Sequence, residues 1–361
     1  MKIVDDVRRI GTIMCAKHNS LLNMAFLIYG FYYGLHRILN RSMENMNFES
    51  VACLSLNPHS ISTIRPVFNE LRKQGINCKW VSKPTHDGIN YLYISSELVF
   101  GDIVNQTVFL PHGIGYEFPK PFHLRYKTLL LSGIKDFKLF AKKPFRRDQL
   151  KLIGYPKSDI LFSPDKDLII EKTKNRFCLD LPYKKTILYA PSFNFFSSSP
   201  LDSSFDKSIF SIITMAQKLE MNLIIKTHPQ IHINSNKEIY FKAQQLSKKI
   251  KNVFWIDKDV EDITPLYLFS DVLVSDASSV LNEFMLTDKP SIQLTNIPSK
   301  KLLYEGTTKS SLENLPNTII KVIENPPEYL YEQRKQIRRR VFKPDGHASE
   351  RAVEIIKKLI G

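Results

Sequence analysis

Val272-Leu273-Val274-Ser275-Asp276-Ala277-Ser278-Ser279-Val280, running on to Glu283, reads as a short buried strand, a polar turn and the start of a helix over 278–286. A four-residue apolar run closed by polar residues has the length of a strand covered on both faces, as in a parallel sheet. The same unit recurs on either side. Upstream, Asn222 to Lys226 (NLIIK) stops at Thr227-His228-Pro229, and Thr186 to Ala190 (TILYA) stops at Pro191, with a helical pattern over 207–219 between them. Val253 to Ile256 and Ser291 to Leu294 add strands, and 263–269 a short helix.

Nearer the N-terminus the rhythm repeats in Ser50 to Leu56, a helix over 61–74, Asn77 to Val81, Tyr91 to Ser95 and Thr107 to Leu110, the last running into Pro111-His112-Gly113. At ~150 residues per domain, 361 residues make about two domains. The expected class is therefore α/β, with two Rossmann-like domains facing across a cleft. Residues 1–46 form an N-terminal helical segment, 47–160 the N-terminal domain, and 161–361 the C-terminal domain with its C-terminal helices.

Apolar residues at 43% and charged residues at 24% exclude wholesale disorder, a collagen and a polytopic membrane protein. Lys and Arg outnumber Asp and Glu by 51 to 36, a net charge of +15 that favours phosphorylated ligands, polyanions or an anionic membrane face. Cys15, Cys53, Cys78 and Cys178 show neither C-x-x-C nor zinc-like spacing, which points to free thiols in a reducing cytoplasm. No signal peptide is evident. The apolar run from Met24 to Leu35 is too short to span a bilayer, which takes about 20 residues. Its aromatic side chains beside Arg37 and Arg41 suit a membrane interface or a packed helix equally. The helical tail from Pro327 to Ile360 carries Arg334, Lys335, Arg338, Arg339 and Arg340, either a solvated face or a contact with anionic lipid. No nucleic-acid reader motif is present.

Three strand ends carry candidate chemistry, because ligands of open α/β sheets bind beyond the carboxyl ends of the strands. His112, with Gly113 behind it, has the imidazole of a general base where backbone approaches a ligand closely; a structural turn histidine is the alternative. Lys226 and His228 share a face if their strand continues, and a cation and an imidazole on one point suit phosphate oxygens. Otherwise Lys226 is solvated and His228 caps a turn. Ser278 and Ser279 open a helix whose free N–H groups and dipole favour phosphate, with Glu283 one turn on; simple N-capping is the alternative. Rossmann dinucleotide, P-loop, zincin and nucleophile-elbow motifs are all missing.

Taken in order, these sites resemble the CDP-glycerol glycerophosphotransferase family, teichoic-acid primases and polymerases of the GT-B fold. His112-Gly113 is followed by Gly154-Tyr155-Pro156-Lys157-Ser158-Asp159, similar to the family's GYPRND, and by Tyr189-Ala190-Pro191-Ser192, similar to YAPTW. Lys226-Thr227-His228-Pro229 resembles RPHP, Ser275-Asp276-Ala277-Ser278-Ser279-Val280 resembles TDYSSV, and Asp345-Gly346-His347-Ala348-Ser349-Glu350-Arg351 resembles DGKASER.

The resemblance implies that His112 deprotonates an acceptor hydroxyl and that His228 binds the donor phosphates. Ser278 and Ser279 would hold the pyrophosphate and Glu283 the ribose, with Gly113, Lys226, Ser192 and Asp276 also in the substrate site. CDP-glycerol or a related nucleotide donor, a glycan or lipid-linked acceptor and the inner membrane surface are the implied partners. No cofactor or metal is implied, and the place of action would be the cytoplasmic face of the cell membrane. Ile114-Gly115-Tyr116-Glu117, Phe193-Asn194 and Ala277 depart from the family pattern, so CDP-ribitol or a nucleotide sugar, as in a GT-B glycosyltransferase of surface polysaccharide synthesis, stands as the alternative donor.

Overall fold

The computed structural model describes residues 47–361 apart from 56–57, 86, 98, 100–102, 104–105, 115–125, 143–146, 194–202, 232–235, 257–259 and 296–304. The expected N-terminal helical segment, and with it the Met24 to Leu35 run, lies outside the described residues.

Among the described residues the strands form two sheets of six, and every strand pair in both is parallel. The first contains β1 (Ser50–Leu54), β2 (Cys78–Val81), β3 (Tyr91–Ser95), β4 (Thr107–Phe109), β5 (Thr128–Leu131) and β6 (Leu150–Leu152), in the order β2-β1-β3-β4-β5-β6. The second contains β7 (Thr186–Tyr189), β8 (Asn222–Lys226), β9 (Val253–Ile256), β10 (Val272–Ser275), β11 (Ser291–Leu294) and β12 (Thr308–Ser310), in the order β12-β11-β10-β7-β8-β9. This is the Rossmann order, and its reversal point lies between β7 and β10, where Ile187 registers with Val272. The GT-B-like class read from the sequence is the class observed.

Strands with both faces covered explain the apolar runs: β1, β3, β5, β7, β8, β10 and β11 are buried at every position. Each sheet separates two apolar clusters. Phe205–Lys218 and Leu315–Glu324 cover one face of the second sheet with Ile209, Ile212, Ile213, Ile319 and Val322.

The C-terminal tail is helical, as its residues predict. It forms two helices, Pro326–Arg340 and Ala348–Ile360, and the latter crosses back to the first sheet. There Ala352, Val353 and Ile356 complete a cluster with Val51, Ile64, Val67 and Leu92. The cause is amphipathicity: this helix has an apolar stripe, and the first sheet offers the uncovered face that the stripe needs. The basic stretch from Lys135 to Lys151 contains most of the helix Ile134–Ala141 and most of β6.

Candidate active site

Four turns carry the candidate residues, each at the carboxyl end of a strand: His112 after β4, Ser192 after β7, His228 after β8 and Ser278-Ser279 after β10. Three contacts join them. The His228 ring stacks on Phe193 with centroids 4.3 Å apart. The Ser192 N–H donates to Asp276 Oδ1 at 2.8 Å, tying the end of β7 to the end of β10 across the reversal point. Gly113, at φ +85°, lies against Ser279, and a side chain there would sit 3.2 Å from Ser279 Cβ. The His112 turn of the first lobe therefore rests on Ser279 of the second.

The two imidazoles hold opposite tautomers, assigned from their hydrogen-bond partners. His112 is exposed, and its Nδ1 faces the Ser96 carbonyl at 3.3 Å. A carbonyl only accepts, so Nδ1 carries the proton and Nε2 keeps a lone pair. His228 is half-buried, and its Nδ1 accepts the Gln230 N–H at 3.1 Å, which leaves the ring proton on Nε2. One ring is thus set to take a proton and the other to donate a hydrogen bond.

Ser278 and Ser279 are half-buried at the start of the helix Val280–Phe284, shorter than expected because a 3-10 turn, Met285–Thr287, takes over. The Ser279 side chain makes no capping bond, although its carbonyl accepts from Asn282 and Glu283 N–H groups.

Three expected site residues turn inward. Asp276 is fully buried: Oδ1 accepts from the Ser192 N–H, and Oδ2 from the Ser204 N–H at 2.7 Å and hydroxyl at 2.8 Å. Burial raises its pKa, and the donors work against the rise. Lys226 closes β8 as a buried residue whose ammonium donates to the Thr227 carbonyl at 2.8 Å.

Glu283, expected at a ribose, is 4% exposed. Its Oε1 accepts from the Tyr155 hydroxyl at 2.9 Å, while Oε2 accepts from Lys157 Nζ at 3.1 Å and the Tyr267 hydroxyl at 3.2 Å. The carboxylate serves an internal network. Burial acts to lower the pKa of Lys157, but Glu283 and Asp262 outweigh it and the net direction is upward, which keeps the ammonium charged. Burial and the neighbouring Glu283 carboxylate push the Tyr155 and Tyr267 hydroxyls well up, so both are donors. Sequence reasoning assigned no role to Tyr155, Lys157, Tyr267, Phe193 or Asn282. For Asn282 a signal existed, since an amide between Leu281 and Phe284 sits on a buried stripe and needs a partner.

Among the described residues no group of three or more His, Cys, Asp or Glu side chains gathers as a metal site, and no helix is long and apolar enough to cross a membrane.

Residues 129–358 match the sequence model of the family described as CDP-glycerol:poly(glycerophosphate) glycerophosphotransferase. The teichoic acid glycerol-phosphate primase of Bacillus subtilis is 26% identical over 241 residues, 64% of this chain and 58% of the primase. The teichoic acid poly(ribitol-phosphate) polymerase of Bacillus spizizenii is 26% identical over 247 residues, 65% of this chain and 38% of the polymerase. The matched region thus spans less than two thirds of either relative. In three dimensions the chain is similar to the wall teichoic acid polymerase TagF, with a TM-score of 0.65 at 14% identity, covering 92% of this chain and 98% of that one. The extent of the sequence match, over well more than half of its length, places this chain in the CDP-glycerol:poly(glycerophosphate) glycerophosphotransferase family.

Proposed function

We propose that this protein transfers glycerol phosphate, or a related polyol phosphate, from a CDP-activated donor to a hydroxyl of a glycan or lipid-linked acceptor in cell-surface polymer synthesis. The observation that carries this reading is the seating of the His112 turn on the second lobe, where Gly113 lies against the Ser279 side chain at the helix start.

In the reaction the acceptor oxygen attacks the β-phosphorus of the donor while His112 Nε2 takes its proton. A new P–O bond forms, the bond to the bridging oxygen breaks, and CMP leaves with that electron pair. Phosphoryl transfer depends on positioning and on neutralising the phosphoryl oxygens. The His228 Nε2–H, the Ser278 and Ser279 hydroxyls and the first amides of their helix supply donors for those oxygens. Gly113 lets the backbone approach, while Ser192, Lys226, Asp276 and Glu283 shape the site from below.

The enzyme would work at the inner face of the cell membrane, where the Pro326–Arg340 helix offers exposed Arg338, Arg339 and Tyr331 to anionic lipid. The test is CMP release from CDP-glycerol, CDP-ribitol and UDP-sugars supplied separately to the purified protein with a lipid-linked acceptor. Release of CMP from a CDP-polyol supports the proposal, and turnover of a UDP-sugar alone would replace it with glycosyl transfer.

A further inference from the structure

The turn bearing His112 belongs to the first lobe by sequence, yet it is built into the second. Ile114 is 3% exposed and lies in the cluster of Leu188, Ile224, Leu273, Leu281 and Phe284, a second-lobe core. The Ile114 carbonyl accepts from Asn282 Nδ2 at 3.0 Å, a hydrogen bond spanning 168 residues of chain. Asn282 is itself buried, and it stands on the short helix Val280–Phe284 that follows Ser279, against which Gly113 is pressed. The helix is fixed in turn by Glu283, gripped by Tyr155, Lys157 and Tyr267.

We propose that Asn282 is a positioning residue, acting through the Ile114 carbonyl to set the His112 ring in register with the Ser278-Ser279 turn. The proposal rests on the transfer function argued above. The spacing between base and phosphate donors is then a property of one five-residue helix, independent of how far the rest of the lobes open. Small displacements matter here, since a reacting group misplaced by ~1 Å loses about 10²-fold in rate. Asn282→Ala deletes the donor, and Asn282→Asp sets a carboxylate oxygen against the carbonyl.

Two measurements on the full-length protein test this. Hydrogen exchange over residues 110–114 should rise about tenfold or more in both variants, with the second sheet unchanged. In CMP-release kinetics, kcat should fall about tenfold or more with little change in donor KM. Neither variant should lower kcat further in a His112→Ala background, because a residue acting through His112 has nothing left to position. Unchanged exchange at 110–114, or an equal loss of kcat with and without His112, would overturn the assignment. A wild-type protein that releases no CMP from any CDP-polyol would instead overturn the transfer function, and the exchange result would still decide whether Asn282 holds the turn. Asn282→Ala, which removes the donor without introducing a charge, keeps the test open should Asn282→Asp fail to fold.

Discussion

At the scale of the residue, the histidines divide the chemistry of the proposed reaction by tautomer. Replacing His112 with alanine should lower the kcat for CMP release by about 10²–10⁴-fold, the usual share of a general base, with donor KM little changed. His228→Ala should act on donor affinity as well, because in the proposed reaction its Nε2–H addresses phosphate in the ground state too. Steady-state kinetics against donor concentration separates the two. Gly113 is the third decisive residue: it combines φ +85° with contact against Ser279, so a methyl group meets both a strained backbone and a wall. Gly113→Ala should cost about 1–3 kcal/mol of stability in a denaturant melt and reduce turnover besides.

At the scale of the element, two motifs that carried the family resemblance hold the fold. Asp159 accepts the Ala348 and Ser349 N–H groups at 3.0 and 2.8 Å, capping the last helix, and Arg351 of that helix donates to the Ile153 carbonyl at 2.6 Å. Asp159→Ala should destabilise the protein by about 1–2 kcal/mol in a thermal melt without altering donor KM. On the edge of the second sheet, Lys309 folds back on Gln293 and Thr307, and burial pushes its ammonium down to about 8 from 10.5. Between these values the unfolded chain binds more protons than the folded one, so stability from this group rises with pH over that window and is lowest below 8. Lys309→Met should abolish that rise, an effect that solvent screening of its partly exposed side chain keeps under about 1 kcal/mol, read from urea melts at pH 7.5 and 10.

At the scale of the whole molecule, the two lobes are interleaved. Ile114 of the first lies in the core of the second, and Ala348–Ile360 from the end of the chain completes the core of the first. Burying Val353 and Ile356 contributes about 1.5–3 kcal/mol each, a large part of a typical net stability of 5–15 kcal/mol. Deleting residues 348–361 should therefore expose the first sheet to proteolysis and lower the melting temperature by several degrees or more. Resistance to protease equal to that of the full chain would show the helix to be an appendage. The Arg65–Glu261 ion pair at 2.8 Å also joins the lobes, but with exposed partners it adds little.

The alternation of apolar runs and helical patterns was enough to determine two parallel α/β sheets and to place His112, Ser192, His228 and Ser278-Ser279 at strand ends, because strand burial and the turn after it are local in sequence. Order among six motifs carried the family. Which side chains face the ligand was not local: Glu283 and Asp276 look like binding carboxylates in the sequence, and only tertiary packing surrounds them with Tyr155, Lys157 and Tyr267 or with Ser192 and Ser204. The lodging of Ile114 beneath Asn282 and the return of the last helix to the first sheet were likewise decided by folding. Both depend on surfaces contributed by residues far along the chain, and a burial partner that distant leaves no periodic trace near the residue it covers.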